Sequence, residues 1–256
     1  MAITLSIANQ KGGVGKTTTA VNLSAALKAL KKRVLLVDID PQGNATMGCG
    51  VDKHTMENSI CELLLGECNI HKAIIHVDDS GIDVLGSNTD LIAAEVALLR
   101  GKNSEFKLKN AINSVASDYD YVIIDCPPSL NMLTINAFTA SNGIIIPMQC
   151  EYYALEGLSA LMKTIEKIKQ TTNPTLEITG LVRTMYDART KLSNEVSLQL
   201  QQYFSHKVFK TIVPRNVKLA EAPSFGKDSI SYARSSKGAI SYISLASEVL
   251  RKTSIN

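Results

Sequence analysis

Short, continuous runs of apolar residues recur along the chain and alternate with segments of helical periodicity. Runs of roughly four to eight apolar residues are typical of strands that are buried on both faces of a parallel sheet. Seven such runs predict seven strands: Ile3 to Ala8, Val34 to Val37, Ile82 to Leu85, Tyr121 to Ile124, Ile144 to Pro147, Ile178 to Val182 and Thr211 to Val213.

Between these runs, apolar residues lie three or four positions apart, which places them on one side of a helix. Two clear stripes are Ala20, Leu23, Leu27 and Leu30, and Leu158, Leu161, Ile165 and Ile168. The alternation predicts an α/β fold with a doubly wound, mostly parallel sheet, helices on both faces, and ligands at the carboxyl ends of the strands. We expect a single domain over residues 1–256, and we assign no element between Gly50 and Ser80.

The cysteines and the N-terminal residues argue against two classes of protein. The five cysteines are odd in number and lack metal-ligand spacing, so we expect no disulfide framework. No apolar run approaches the roughly 18 residues of a membrane-spanning helix, and the first residues, MAITLSIANQ, lack the features of a secretion signal. We therefore expect a soluble protein in a reducing cytoplasm.

Positive charge is concentrated in the last third of the chain, although the net charge is only +3. Residues 1–162 carry a net charge of −5, whereas residues 163–256 carry +8. Such asymmetry indicates a surface that faces a polyanion, and a solvated basic face without a ligand is the alternative.

The first apolar run leads directly into the glycine-rich segment KGGVGKTT at residues 11–18. A strand, a glycine turn and a helix N-terminus in this order direct backbone N–H groups and a positive helix end toward one anion. We expect the polyphosphate of a nucleotide, with Lys16 at the β- and γ-phosphates and the Thr17 hydroxyl on Mg²⁺. The expected nucleotide-binding residues of the loop are Lys11, Gly12, Gly13, Val14, Gly15, Lys16, Thr17 and Thr18.

The loop departs from the general phosphate-binding pattern, because Gln10 stands where glycine is usual and Lys11 opens the loop. This is the deviant Walker A motif. With DIDPQGN at 38–44 and IIDCPPS at 123–129, the chain resembles the ParA family of partitioning ATPases in its short chromosomal form. Two further segments, LVRTMYDART at 181–190 and VPRNVKLAEAPSFGK at 213–227, extend the resemblance over most of the chain.

The resemblance implies roles in ATP hydrolysis for these residues. Asp40 would position the attacking water, a choice that spacing alone does not make over Asp38. Asp125 would hold Mg²⁺ through water, with a helix-capping turn as its alternative, and Asp40 is a further Mg²⁺ residue through water. Lys11 would reach the phosphates of a second copy, so that ATP favours a homodimer, and a solvent-exposed lysine is the alternative. The expected catalytic residues are Lys11, Lys16 and Asp40.

The resemblance also assigns residues to adenine and to DNA. Pro214 and Asn216 would hold the base by ring packing and by the side-chain amide, although a plain turn would use the same residues. Arg189 and Lys218 match positions associated with sequence-independent DNA binding, for which contact with phosphates suffices. Basic residues that could widen this patch are Lys191, Lys207, Lys210, Lys227, Arg234 and Lys237.

Three expectations concern local structure. Arg183 stands where the family usually has an apolar strand residue, and Ser129 is expected to begin the helix after the second acidic motif. A C-terminal helix is expected to pack on the fold, with a polar face through Glu248. Its apolar stripe would consist of Ile240, Ile243, Ala246 and Val249.

The leading hypothesis is a DNA-partitioning ATPase that uses ATP and Mg²⁺. ATP would drive homodimerisation, the dimer would bind double-stranded DNA nonspecifically on the nucleoid, and a ParB-like centromere-binding partner would stimulate hydrolysis and release. The alternative is a membrane-cycling positioning ATPase similar to MinD, and a third possibility is a scaffold that binds ATP without hydrolysing it. Stable membrane association is not expected, because the polar face of the last helix is not basic.

Overall fold

The computed structural model describes residues 2–152 and 154–254. The strands in this part of the chain are β1 (Ile3–Ile7), β2 (Val34–Asp38), β3 (Ile74–Val77), β4 (Ile82–Leu85), β5 (Tyr121–Asp125), β6 (Gly143–Gln149), β7 (Glu177–Tyr186) and β8 (Val208–Pro214). They form one sheet in the order β3-β4-β2-β5-β1-β6-β7-β8. Within it β3 is antiparallel to β4, and the other pairs are parallel.

Helices cover both faces of the sheet. They are α1 (Lys16–Ala29), α2 (Asn44–Gly48), α3 (Ile60–Leu65), α4 (Ile70–Ala73), α5 (Leu91–Leu98), α6 (Lys107–Val115), α7 (Met132–Ala140), α8 (Ala154–Thr171), α9 (Lys191–Phe204), α10 (Val217–Glu221), α11 (Ser229–Ala233) and α12 (Lys237–Thr253). One buried cluster contains apolar side chains of α1 and α12, and a second contains those of α3 and α5 to α9. The predicted α/β fold is therefore confirmed.

All seven apolar runs are strands, but the sequence did not predict β3. This strand lies at the edge of the sheet, and its residues are partly or fully exposed, so it lacks a continuous apolar run. The unassigned stretch before Ser80 also contains α3 and α4. Ser59 and Glu62 form a capping box at the start of α3, since each side chain accepts an N–H group at the helix N-terminus.

The register of the central strands places the acidic motifs beside the glycine-rich loop. β5 lies between β1 and β2, and Asp125 is paired in register with Ile7 on one side and with Asp38 on the other. The segments that follow these three strands therefore leave the sheet at the same edge. The carboxyl edge of a parallel sheet is where such folds bind ligands.

The C-terminal helix α12 packs against α1 and β8, as expected, and Ala246 and Val249 of the predicted stripe are buried, but the rest of its buried side differs from that stripe. Ile240 is exposed, whereas Tyr242 is buried and its hydroxyl lies 3.1 Å from that of Thr19. Glu248, predicted to lie on the polar face, is also buried. Its carboxylate accepts the backbone N–H groups of Lys210 and Thr211 at 2.8 and 3.0 Å, because the edge of β8 needs an acceptor there.

Arg183 in β7 and Ser129 before α7 are the other two residues with a local expectation. Arg183 is buried in β7, and its guanidinium donates to the Ser197 hydroxyl at 2.8 Å and to the Phe209 carbonyl at 2.8 Å, so a polar pocket accommodates it. Ser129 does not begin α7. Asn131 caps that helix instead, because its side-chain oxygen accepts the N–H groups of the first turn.

We predict that Glu248→Ala destabilises the fold, because it leaves two N–H groups of β8 without their acceptor. A buried unsatisfied group costs about 1–3 kcal/mol, which corresponds to a fall in Tm of roughly 2–10 °C for a chain of this size. Thermal unfolding followed by circular dichroism measures the change. Glu195→Ala on α9, which removes an exposed carboxylate, is the control. Equal changes in Tm for the two variants would contradict the role of Glu248 as the acceptor for β8.

Candidate functional site

The glycine-rich loop connects β1 to α1 and adopts a conformation that other residues would strain. Gly13 and Gly15 have φ angles of 72° and 85°, in the left-handed region that favours glycine. Gly15 immediately precedes the first residue of α1, so the helix N-terminus opens at the loop. The Thr184 hydroxyl donates to the Val14 carbonyl at 2.7 Å and fixes the loop to β7. Unpaired N–H groups at such a helix start favour an anion.

A cavity of about 710 Å³ adjoins this loop, and we call it the phosphate cavity. Its walls come from the loop, the turn after β2, the segment after β5 and the start of α5. They include Gly12, Gly13, Gly15, Lys16, Thr17, Thr18, Asp40, Pro41, Gln42, Asn44, Ile92, Glu95, Pro127, Pro128, Ser129, Asn131 and Met185. Six of the eight expected loop residues and Asp40 thus line one common space, whereas Lys11 and Val14 do not line it.

Lys16 is the buried cation of the phosphate cavity. Its amine donates to the Lys11 carbonyl at 3.1 Å. Burial lowers the pKa of Lys16, and the nearby carboxylates of Asp125 and Asp40 oppose this shift. An amine that is held largely out of water beside a glycine loop can neutralise the charge of a bound phosphate.

Asp38 and Asp40 have different environments, although they are two residues apart. Asp38, the last residue of β2, is fully buried and accepts the N–H and hydroxyl of Thr46, both at 2.8 Å. It also accepts the Asp40 N–H at 3.1 Å. Asp40 lies in the cavity wall and accepts the Gln42 N–H at 3.0 Å. Asp38 therefore holds the turn in place, while Asp40 faces the space where a substrate would lie.

Asp125 is fully buried, and within the described residues neither of its carboxylate oxygens has a hydrogen-bond partner. Its pKa is raised well above the usual value, because burial and the neighbouring Asp38 disfavour the charged form. The Thr17 hydroxyl, which lies nearby but falls short of hydrogen-bond geometry, and the Lys16 amine oppose this shift. An unpaired buried carboxylate beside a second one is stabilised by a cation. Oxygen ligands and retained water suit Mg²⁺, so Asp125 and Thr17 fit this ion. Thr17 and Asp40 line the phosphate cavity, whereas Asp125 does not line it.

Lys11, the residue that distinguishes the loop, is bound within its own chain. Its amine lies 2.6 Å from the Glu151 carboxylate, in the segment that follows β6. The sequence did not identify Glu151, although its position just after a predicted strand at the same sheet edge was a signal. Both side chains are partly exposed, and such pairs contribute only ~0–1 kcal/mol, so the Lys11 amine can exchange partners.

A second cavity, of about 190 Å³, contains the residues expected to hold adenine. Pro214 and Asn216 line it, and it shares Gly15 and Thr18 with the phosphate cavity. The side-chain oxygen of Asn216 accepts the Lys218 N–H and caps α10. Its NH₂ group has no partner among the described residues and can contact a base edge. Asn216 can therefore cap α10 with its oxygen and contact a base with its NH₂ group, so the two interpretations of this residue are compatible.

Met185 lines both cavities and was not predicted as a site residue. Its φ angle of 48° is unusual for a side chain of this size. This strained conformation occurs near the end of β7, where the side chain borders both cavities. A backbone angle of this kind leaves no pattern in a single sequence.

The two residues expected to bind DNA are exposed and are paired with carboxylates. The Arg189 guanidinium donates to Asp187 at 2.9 and 2.6 Å, and this contact lowers the pKa of Asp187 to about 2. The Lys218 amine lies 2.9 Å from Glu221. A phosphate bound by either cation would therefore replace a carboxylate of the same chain. The sequence did not identify these two acidic partners.

Comparisons with known proteins match this geometry. The family model described as an AAA domain matches residues 2–178. The sporulation initiation inhibitor protein Soj of Bacillus subtilis is 50% identical, over 96% of this chain and 97% of that protein. The chromosome partitioning protein ParA of Myxococcus xanthus is 48% identical, over 96% and 87%. The structure of cobyrinic acid a,c-diamide synthase from Mycobacterium smegmatis with bound ADP and magnesium is 40% identical, with a TM-score of 0.86 and coverage of 98% and 95%.

We predict that Asp125→Asn stabilises the protein in the absence of nucleotide at pH 7–8. Because the pKa of Asp125 is raised in the folded state, this carboxyl costs folding free energy increasingly as the pH rises above its ordinary value of 3.8, and asparagine removes that cost. About 1–2 kcal/mol of relieved repulsion would raise Tm by roughly 2–8 °C. The advantage should decrease as the pH falls, because protonation neutralises Asp125 in the unmodified protein.

Thermal unfolding with and without ATP and Mg²⁺ checks this prediction. The same variant should lose most of the stabilisation that these ligands give. Asp118→Asn, at an exposed position, should change neither quantity. A lower Tm for Asp125→Asn at neutral pH would show that the carboxylate is satisfied in the free protein.

Proposed function

Because the chain belongs to the ParA family of chromosome-partitioning ATPases, we propose that it is an ATP-driven switch for the segregation of DNA. ATP drives homodimerisation, the dimer binds double-stranded DNA nonspecifically, and hydrolysis stimulated by a ParB-like partner releases it. One observation carries this proposal: the buried amine of Lys16 and the unpaired carboxylate of Asp125 lie together at the glycine-rich loop. We place the protein in the cytoplasm, associated with the nucleoid.

The residues around the phosphate cavity have different roles in phosphoryl transfer. The loop N–H groups and the Lys16 amine bind the triphosphate and favour the charge that develops on it during hydrolysis. Thr17, and Asp125 through water, would hold Mg²⁺, which would supply further neutralisation of the negative charge of the triphosphate. Asp40 positions the attacking water, and Asp38 keeps the turn of Asp40 in place through Thr46. Pro214 and Asn216 hold the adenine ring in the adjacent cavity.

Lys11 supplies the link between nucleotide and dimer. In the single chain its amine contacts Glu151, and in the dimer it contacts the phosphates bound by the second copy. A triphosphate offers more negative charge than one carboxylate, so the exchange favours the dimer only when the nucleotide is present. Glu151 accordingly lowers the tendency of the empty protein to associate.

DNA binding uses the basic last third of the chain. Arg189 follows β7, and Lys218 lies on α10, so both are near the edge of the sheet formed by β8. Dimerisation would double the number of such cations on one surface and raise the affinity for a polyanion. The resulting affinity depends strongly on salt and weakly on sequence, since phosphates rather than bases are contacted.

The membrane-cycling alternative receives little support from α12. Its apolar side chains, including Tyr242, Leu245 and Val249, are buried against the rest of the fold. An interfacial helix needs such a face free for lipid. Among the described residues, no helix has both the length and the apolar character needed to cross a bilayer.

We predict that Asp40→Ala accumulates as a dimer with ATP and Mg²⁺, because the nucleotide still binds while the attacking water is no longer positioned. Size-exclusion chromatography with light scattering measures the mass. The same variant with ADP should remain monomeric, which provides the control. A monomer at all ATP concentrations would contradict the proposed switch.

We predict that Arg189→Glu abolishes binding to duplex DNA but leaves the ATP-dependent dimer intact. The substitution reverses a charge at the DNA surface, and Arg189 lies outside both cavities. Fluorescence anisotropy with an unrelated duplex, measured across a salt series, reports the affinity. Lys72→Glu makes the same change of charge on α4, beside the opposite sheet edge, and should bind DNA normally. Equal losses for the two variants would indicate only an effect of net charge.

A further inference from the structure

Lys218, one of the two residues expected to contact DNA, belongs to a small group of side chains on α10 and α11. Its amine lies 2.9 Å from the Glu221 carboxylate and 5.5 Å from the centre of the Tyr232 ring. The Tyr232 hydroxyl donates to the same Glu221 oxygen at 3.2 Å. We call Lys218, Glu221 and Tyr232 the Tyr232 cluster.

Tyr232 contacts both members of the ion pair. Its hydroxyl bonds to Glu221, and its ring attracts the Lys218 cation. Phe225 stacks on this ring, with the ring centres 5.1 Å apart and the planes 23° apart, and so limits the movement of the ring. The carboxylate is therefore held beside the amine by a third side chain, in addition to the attraction between the two charges.

Glu221 and Lys218 each favour the charged form of the other. The hydrogen bond from Lys218 lowers the pKa of Glu221, and the same contact raises the pKa of Lys218. A phosphate group that approaches Lys218 meets a carboxylate that already accepts a hydrogen bond from the amine and repels the incoming negative charge. Glu221 and a phosphate are therefore alternative partners of one cation.

Three other basic residues of the expected DNA surface are also paired with carboxylates of the same chain. These pairs are Arg189 with Asp187, Lys191 with Glu195, and Lys227 with Asp79. Of the four pairs in the described part of the chain, the one with Lys218 has an aromatic hydroxyl on its carboxylate. The Tyr232 cluster is thus the pair in which the position of the carboxylate is fixed by a further contact.

Helix α10 separates the Tyr232 cluster from the nucleotide. Leu219 and Ala220 line the second cavity, where adenine is expected, whereas Lys218, Glu221 and Tyr232 do not line it. A substitution in the cluster therefore changes the outer surface of α10 and removes no side chain from the wall of either cavity.

We propose that Glu221, held in place by the Tyr232 hydroxyl, competes with DNA phosphate for Lys218 and so restrains the affinity of the protein for duplex DNA. The inference rests on the proposed function, in which Lys218 contacts phosphate. Tyr232 is then a positioning residue of the DNA site. Because DNA must displace a carboxylate at each copy, binding stays weak and reversible unless several cations act together.

The test uses Asp40→Ala with ATP and Mg²⁺ as the parent, so that hydrolysis does not change the protein during the measurement. Glu221→Gln keeps the size of the side chain and removes its charge. An exposed ion pair changes an equilibrium by up to about fivefold, and a dimer contains two, so the Kd for an unrelated duplex should fall roughly threefold to twentyfold. Tyr232→Phe keeps the ring and removes the hydroxyl, so it should lower the Kd by a smaller factor. Fluorescence anisotropy across a salt series measures each Kd.

Lys218→Ala separates this competition from an effect of net charge. In that background Glu221→Gln has no amine to release, so the Kd should stay within about twofold, as a double-mutant cycle requires for residues that act through each other. Glu67→Gln makes the same change of charge after α3, which packs in the other buried cluster, and should have little effect with or without Lys218. Circular dichroism and an unchanged affinity for a fluorescent ATP analogue verify that each variant is folded.

The outcomes separate this inference from the proposed function. A parent that binds DNA, together with an unchanged Kd for both Glu221→Gln and Tyr232→Phe, would overturn only the competition at Lys218. An equal gain from Glu221→Gln in the presence and absence of Lys218 would assign the effect to net charge and would also overturn it alone. A parent that binds no DNA would overturn both.

Discussion

Two buried carboxylates at the ends of adjacent strands are the constraint on which the site depends. Parallel pairing of β2 with β5 places Asp38 beside Asp125 in register. Thr46 satisfies Asp38, whereas Asp125 has no hydrogen-bond partner among the described residues. Such an arrangement is costly in an empty site and becomes favourable when a cation is bound. The same sheet edge carries the glycine-rich loop, so the anion and the cation of a magnesium–triphosphate complex are both accommodated.

Cations outside this centre are held by carboxylates of the same chain. Lys11 contacts Glu151, Arg189 contacts Asp187, and Lys218 contacts Glu221. Each pair is exposed and weak, so phosphate groups can replace the carboxylates. In the proposed switch the nucleotide makes this exchange at Lys11, and DNA makes it at the other two. In the proposed switch, the empty protein would thereby keep these three cations occupied.

The sequence predicted the central part of the fold because the strands there are buried on both faces. Continuous apolar runs marked seven strands, whereas the order of the strands in the sheet was not predicted and comes from the structure. It did not predict β3, which is exposed at the edge and is interrupted by His76. The start of α3 could have been predicted from the spacing of Ser59 and Glu62, which form a capping box, although apolar periodicity alone did not indicate this helix.

Part of the candidate site was predictable from the sequence, because its chemistry requires particular residue types at fixed positions in short motifs. Lys16, Thr17 and Asp125 lie in such motifs. Glu151 and Asp187 were not found, because a carboxylate partner is defined by its spatial position rather than by a motif. Met185 was not found because its role depends on a backbone angle. Ile240 was assigned to the buried stripe of α12 because its spacing fits, but the helix packs with a different rotation.

Proton release on ligand binding tests the role of the carboxylate pair most directly. Burial and the neighbouring Asp38 raise the pKa of Asp125 in the empty protein, and a bound cation favours the charged carboxylate, so binding releases any proton that Asp125 carries. Calorimetric titration with preformed Mg²⁺–ATP over a series of pH values, each in two buffers of different ionisation enthalpy, measures the number of protons released. We expect proton release for the unmodified protein and much less for Asp125→Asn. Equal binding enthalpies in both buffers for the unmodified protein would contradict it.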